Sequence, residues 1–292
     1  VHSRSGEEVL TERDKSRYYH PMKLLIRLLA LTSVLGAATV DGLTIHSTTT
    51  GSGPRTVILV HGWTCDETSW SQQAPALSAQ YRVATLDLPG HGKSESPKDG
   101  KFTMELFARA VEAVRAELKA DRVVLAGHSM GTPVIVQYAR LYPDRVIALI
   151  FVDGRVTFGP NGPAKFDRER WLGDVGRKTR ESMIGGMFGP GTTSAQEANL
   201  RGVMMRTPES TAAGAMKAYY DPAIWKNEIL SIPTLAIYAQ RAAGNPQAYL
   251  KEHFPRLEYH EIPGASHFLM LEKPVEFNRM VLDFLARNFA AR

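Results

Sequence analysis

The chain has 292 residues, 43% hydrophobic and 22% charged, enough length and apolar content to bury a large core. Its formal charge of +5 comes from scattered Lys and Arg, without the block of like charges that marks a nucleic-acid arm, so no nucleic-acid partner is expected. A single cysteine, Cys65, excludes an internal disulfide framework and any multi-cysteine metal site. It reads as a buried free thiol.

Residues 1–21 are polar and charged, and read as an extension upstream of a natural start at Met22. From there Lys23 and Arg27 precede an apolar stretch, Leu28 to Leu35, and the small residues Gly36, Ala37 and Ala38. This is the pattern of a signal peptide over 22–38, cleaved near Thr39, which places the mature protein in the periplasm or outside the cell. Thirteen uncharged residues separate Arg27 from Asp41, fewer than the roughly 20 a spanning helix needs. No stable membrane insertion is therefore expected. The alternative is an amphipathic N-terminal helix, because Leu28, Leu31 and Leu35 also make a helical stripe.

After the leader, short apolar runs alternate with longer helical patterns, which predicts an α/β fold with a mostly parallel, doubly wound sheet. Strands are expected at Leu43 to Thr49, Thr56 to His61, Arg82 to Asp87, Arg122 to Gly127, Val146 to Val152, Thr234 to Ala239 and Arg256 to Ile262. Several are continuous Val, Leu and Ile, as strands buried on both faces require. Helices are expected at Met104 to Leu118, Met130 to Leu141 and Pro274 to Asn288. The strand rhythm stops between Arg155 and Ser231. That stretch reads as short helices inserted between a first core segment, 39–154, and a second, 232–292.

The chemistry-bearing signal is Gly127-His128-Ser129-Met130-Gly131, directly after an apolar strand and before a helix. It is the G-x-S-x-G nucleophile elbow in its required context. The sharp turn lifts the Ser129 hydroxyl above the sheet and leaves the Met130 NH at a helix N-terminus, where it can hold a developing anion. His61-Gly62-Trp63 closes an earlier strand, and the Trp63 NH is the candidate second donor; the alternative is a tight turn alone.

A serine hydroxyl needs a neighbouring imidazole to take its proton. Of nine histidines, His267 alone occupies the loop directly after the last expected strand, in Gly264-Ala265-Ser266-His267-Phe268. Loops at the carboxyl ends of parallel strands are where such sheets place their sites. His61 and His91 read as structural.

The set HGW, DLPGHGKS, GHSMG and PGASHF, in this order, resembles the α/β-hydrolase superfamily, in particular its capped serine esterase and haloperoxidase-like branch. The resemblance runs from about Val40 to the C-terminus. It implies a triad in the order Ser, acid, His, and a helical cap over 155–231, inserted after the sixth strand. Most relatives carry the acid after their seventh strand, but here that region holds no carboxylate from Ser231 to Lys251. Asp153, after the sixth strand, is the substitute, since the acid only has to reach the far imidazole nitrogen. The rival reading is that Asp153 caps a turn and the triad lacks its acid.

The expected activity is hydrolysis of small uncharged carboxylic esters through an acyl-enzyme, with no cofactor and no metal. Met183, Met187 and Met204 are candidate substrate contacts, being soft side chains suited to an adaptable pocket, although each can equally pack the cap onto the core. C–C bond or lactone hydrolysis on the same triad is the alternative within enzymes. A noncatalytic ligand-binding hydrolase fold is the alternative outside them. Oligomeric state is not legible.

Overall fold

The computed structural model describes residues 33–159, 161–241 and 246–289. The expected extension, 1–21, and residues 22–32 of the expected leader lie outside the described residues. Eight strands form one sheet in the order β1-β2-β4-β3-β5-β6-β7-β8. They are β1 Val34–Val40, β2 Leu43–Thr50, β3 Thr56–Val60, β4 Arg82–Leu86, β5 Val123–His128, β6 Val146–Val152, β7 Thr234–Ala239 and β8 Leu257–Ile262. β2 pairs antiparallel with both β1 and β4, and β3 to β8 all run parallel. Every residue of β3 and β5 is buried, which is why these strands, up to His128 at the end of β5, are Val, Ile, Leu and small residues rather than alternating.

The helices are α1 Ala74–Ser78, α2 Met104–Glu117, α3 Gly131–Leu141, α4 Gly173–Gly185, α5 Ser194–Arg206, α6 Glu209–Tyr219, α7 Gln247–His253, α8 Leu269–Glu272 and α9 Pro274–Phe289. Thr103 starts α2 by accepting the Leu106 NH at 2.9 Å, satisfying one of the donors a helix start leaves unpaired. Its apolar face, Leu106, Phe107, Ala110, Val111 and Val114, is buried. Full burial of a side chain such as Val111 contributes about 1.5–3 kcal/mol.

Residues 33–38, the end of the expected leader, fall within the described residues. Val34 to Ala38, the end of its apolar stretch and its small residues, form most of β1, which pairs residue for residue with β2 from Val34↔Thr49 to Val40↔Leu43. Asp41 and Gly42 join the strands with φ of 52° and 77°, the two left-handed residues of a tight hairpin that Asp-Gly favours. Ala38 and Val40 are buried while Val34 and Leu35 are exposed. The small residues that looked like a cleavage site let this edge strand lie close to α2, where Glu117 accepts the Ala37 NH at 3.3 Å.

The 155–231 insert carries α4, α5 and α6 between β6 and β7. It is tied to the loop after β3 at two points: Trp63 Nε1 donates to Ala212 O at 2.9 Å, and Thr207 Oγ1 donates to Thr64 O at 2.8 Å. Within it Arg180 is buried and donates to the carbonyls of Met205 and Thr207 at 3.1 and 2.9 Å, where the end of α5 carries its negative pole. Among the described residues no helix is long and apolar enough to cross a membrane.

Candidate active site

β3, β5, β6 and β7 end side by side, with Val60 opposite Gly127, His128 opposite Val152 and Val152 opposite Ile237. Ser129 follows β5 with φ 53°, a left-handed conformation costly for a residue with a side chain. The neighbouring glycines make the turn possible. A Cβ on Gly127 would lie 2.3 Å from Gly131 O, and one on Gly131 would lie 2.4 Å from Val60 O. The Ser129 NH donates to Val152 O at 2.9 Å and its carbonyl accepts the Thr132 NH at 3.0 Å, so the elbow is locked to β6 on one side and α3 on the other.

Asp153 follows β6 with φ 45°, and Thr64 in the loop after β3 has φ 57°. Three of the five non-glycine residues with positive φ among the described residues thus belong to these strand ends. Backbone strain held in place by surrounding structure is a feature of functional sites.

His267 Nδ1 lies 2.6 Å from Asp153 Oδ2, and because the carboxylate only accepts, the nitrogen is assigned as the donor. The other oxygen, Oδ1, accepts the Ala239 NH at 3.0 Å. Arg241 spans both oxygens, with Nη1 at 2.9 Å from Oδ1 and Nη2 at 2.5 Å from Oδ2. Burial alone would raise the Asp153 carboxyl; its hydrogen bond to His267 and the Arg241 guanidinium outweigh it and hold the group well below the usual carboxylate range.

The His267 loop is fixed from two directions. The His267 NH donates to Met187 O at 3.2 Å, and Glu272 accepts the Ser266 NH at 2.6 Å and the Thr192 hydroxyl at 2.5 Å. His128 Nε2 donates to His267 O at 2.9 Å, and the two rings lie 4.7 Å apart. Burial first, and then the adjacent His267, push the His128 imidazole down to about 3, so it is neutral at ordinary pH. Ser129 Oγ makes no hydrogen bond to a described residue. Such bonds are often loose without substrate and tighten in the complex.

Gly62 brings the loop after β3 against the elbow. A Cβ there would lie 3.0 Å from Ser129 Cβ and 3.1 Å from His128 Nδ1. Among the described residues the backbone NH groups of Trp63 and Met130 donate to no protein acceptor, leaving both free for an anion. His61 is structural, as expected: its Nε2 accepts the Leu88 NH at 2.9 Å and its Nδ1 meets Gly62 O at 2.7 Å.

Of the three candidate substrate contacts, Met187 meets the His267 loop through its carbonyl. Met183 lines a cavity of about 440 Å³ with Phe166, Trp171 and Tyr220; Ser129 is not among its walls. Met204 is buried in the core. Arg241 was missed in the sequence, although an arginine in the carboxylate-free stretch after β7 was the available signal.

His46, Glu67 and Asp87 form a group with metal-ligand character. Lys93 Nζ already lies 3.5 Å from Glu67, and both Asp87 oxygens accept backbone NH groups, from Glu67 and Lys93, at 2.8 Å. The cluster serves to fasten the turn after β4.

Residues 55–181 match a family model described as the alpha/beta hydrolase fold. A thermophilic esterase from Thermogutta terrifontis superposes with a TM-score of 0.77 at 25% identity, over 88% of this chain and 99% of that one. The chain has the α/β-hydrolase fold, and it is a hydrolase. Among curated relatives, 2-hydroxy-6-oxononadienedioate/2-hydroxy-6-oxononatrienedioate hydrolase from Cupriavidus pinatubonensis is 29% identical over 262 residues, 82% of this chain and 90% of that protein. The enol-lactonase from Burkholderia xenovorans shares the fold, with a TM-score of 0.74, 24% identity, and 86% of this chain and all of that one covered.

Proposed function

We propose that the protein is a serine hydrolase cleaving small carboxylic esters through an acyl-enzyme. The observation that carries this reading is the 2.6 Å contact between His267 Nδ1 and Asp153 beside a serine held at φ 53° on a strand-to-helix turn. Ser129 Oγ attacks the ester carbonyl while His267 Nε2 takes its proton. Asp153 keeps the imidazole in that tautomer and stabilises the imidazolium. The NH groups of Trp63 and Met130 hold the oxyanion. His267 then protonates the departing alcohol, and in the second half-reaction it takes a proton from water as that water attacks the acyl-enzyme. The acid is released and the serine regenerated.

A second reading, C–C bond hydrolysis on the same residues, is favoured by the activity named for the curated relative. Nitrophenyl esters of increasing acyl length, assayed beside the dienedioate named for that relative, separate the two. Ester turnover falling on the order of 10⁴-fold in Ser129→Ala supports the serine mechanism, and turnover of the dienedioate alone would overturn the ester assignment.

A further inference from the structure

The opposite end of the sheet carries a groove of about 730 Å³. Its walls are the segments that lead into β3, β4, β5, β6, β7 and β8, together with the end of α9. Ser129, Asp153 and His267 follow the other ends of their strands, so roughly one strand length, about 17–20 Å, separates the two places.

Six cationic side chains line the groove: Arg55, Arg82, Lys119, Arg122, Arg256 and Arg287. Arg287 is paired with Glu258 at 2.5 Å. Among the described residues the other five have no carboxylate partner, and the one acidic wall residue, Asp121, is taken by Arg145 at 2.6 Å. Three of the five are nevertheless held in place, each by a neutral group. Arg82 donates through Nε and Nη2 to Thr56 Oγ1 at 2.9 and 2.8 Å. Arg122 Nη2 donates to Val146 O at 2.7 Å, and the Arg55 guanidinium lies 5.0 Å over the Phe289 ring. These contacts orient the guanidinium groups and leave their charge uncompensated.

Like charges gathered in one concave place repel each other and raise the energy of the fold. A bound anion relieves that repulsion, and arginine forks match phosphate oxygens in geometry as well as charge. We propose that this groove binds a small soluble polyanion carrying two or more phosphate-type groups. The volume is within the range of small-ligand sites. A membrane surface fits less well, because the exposed large apolar side chains, Val34, Leu35, Leu141, Val175, Ile229 and Val275, are not among the groove's walls. A nucleic acid fits less well because no aromatic face lines the groove for a base to stack on.

Isothermal titration calorimetry of the full chain with sodium tripolyphosphate tests this directly, without reference to ester turnover. Saturable binding is expected, weakened by added salt and at least about tenfold tighter than for orthophosphate. R82Q/R122Q should lose about tenfold or more in affinity, since charge-assisted bonds are removed, with nitrophenyl ester turnover unchanged. Arg82 and Arg122 also bond within the protein, so K119Q/R256Q, at two exposed positions, is the second variant and should weaken binding in the same direction. Absence of saturable binding, affinity unchanged in both variants, or equal affinity for orthophosphate would overturn the proposal. So would tighter binding to duplex DNA or to phosphatidylglycerol vesicles, which would assign the groove to a macromolecular surface.

Discussion

Arg241 and His267 share one carboxylate oxygen: Asp153 Oδ2 accepts from Arg241 Nη2 at 2.5 Å and from His267 Nδ1 at 2.6 Å. The guanidinium therefore fixes the carboxylate that orients the imidazole. His128, the other titratable ring against His267, is neutral and cannot substitute for it. Arg241→Gln removes one of the two groups that hold Asp153 below the usual carboxylate range, and kcat should fall several-fold with KM little changed. Arg241→Lys should restore part of the difference. A lower melting temperature with kcat unmoved would reduce Arg241 to a packing role.

Asp153→Asn should leave the fold intact and lower kcat by roughly 10³ to 10⁴, because an amide in place of the carboxylate favours the wrong imidazole tautomer. Asp167→Asn, in the insert, should leave kcat within a few-fold. Equal losses in both would refute the acid assignment.

Gly62→Ala isolates the proposed anion site. The added methyl would lie 3.0 Å from Ser129 Cβ, so the loop carrying the Trp63 NH or the elbow itself has to shift. Loss of one well-placed donor costs about 10² to 10³ in kcat. The expected result is a fall of that order in kcat with KM nearly constant and circular dichroism unchanged; a rise in KM alone would point to substrate fit.

Buried histidines set the acid stability. Burial pushes His91 and His128 down to about 3 from 6.5. Between those values the unfolded chain binds protons that the folded chain does not, so stability is full above about pH 6.5 and falls as pH drops through the window. Each group contributes about 1.4 kcal/mol per pH unit to that fall. Urea midpoints at several pH values between 7 and about 4 should decline steadily, and His91→Gln should flatten the decline. A flat wild-type profile would contradict the neutral burial of both rings.

Export from the Met22 leader, proposed from the sequence alone, meets a structural conflict. Cleavage near Thr39 would remove Val34 to Ala38 and with them five of the seven residue pairs between β1 and β2. A chain beginning at Ser33 should melt several degrees above one beginning at Thr39, and mass spectrometry of protein recovered outside the cytoplasm should find a mature end before Val34. A mature end at Thr39 with unchanged melting would show that β1 is dispensable.

The central parallel strands were legible because strands buried on both faces must be mostly apolar without alternation. The Ser129 elbow was legible because a turn that sharp admits only glycine on either side. β1 was hidden because Val34 to Ala38 satisfies two physical patterns at once, and the Asp41-Gly42 hairpin signal, which would have decided between them, was passed over. Asp153 could be placed by chain position, but the Arg241 clamp depends on β6 and β7 lying side by side, which no local pattern states. The basic groove was invisible for the same reason: its arginines are scattered in sequence and meet only where six strands begin together.

The insert's fastenings tie its placement to the geometry of the site. Ala212 holds the side chain of Trp63, Thr207 holds the carbonyl of Thr64, and Met187 holds the backbone of His267. Any displacement of the insert would therefore strip the struts from the proposed oxyanion loop and from the proposed base together. An insert moved off the core would leave Ser129 with neither arm of the site in place.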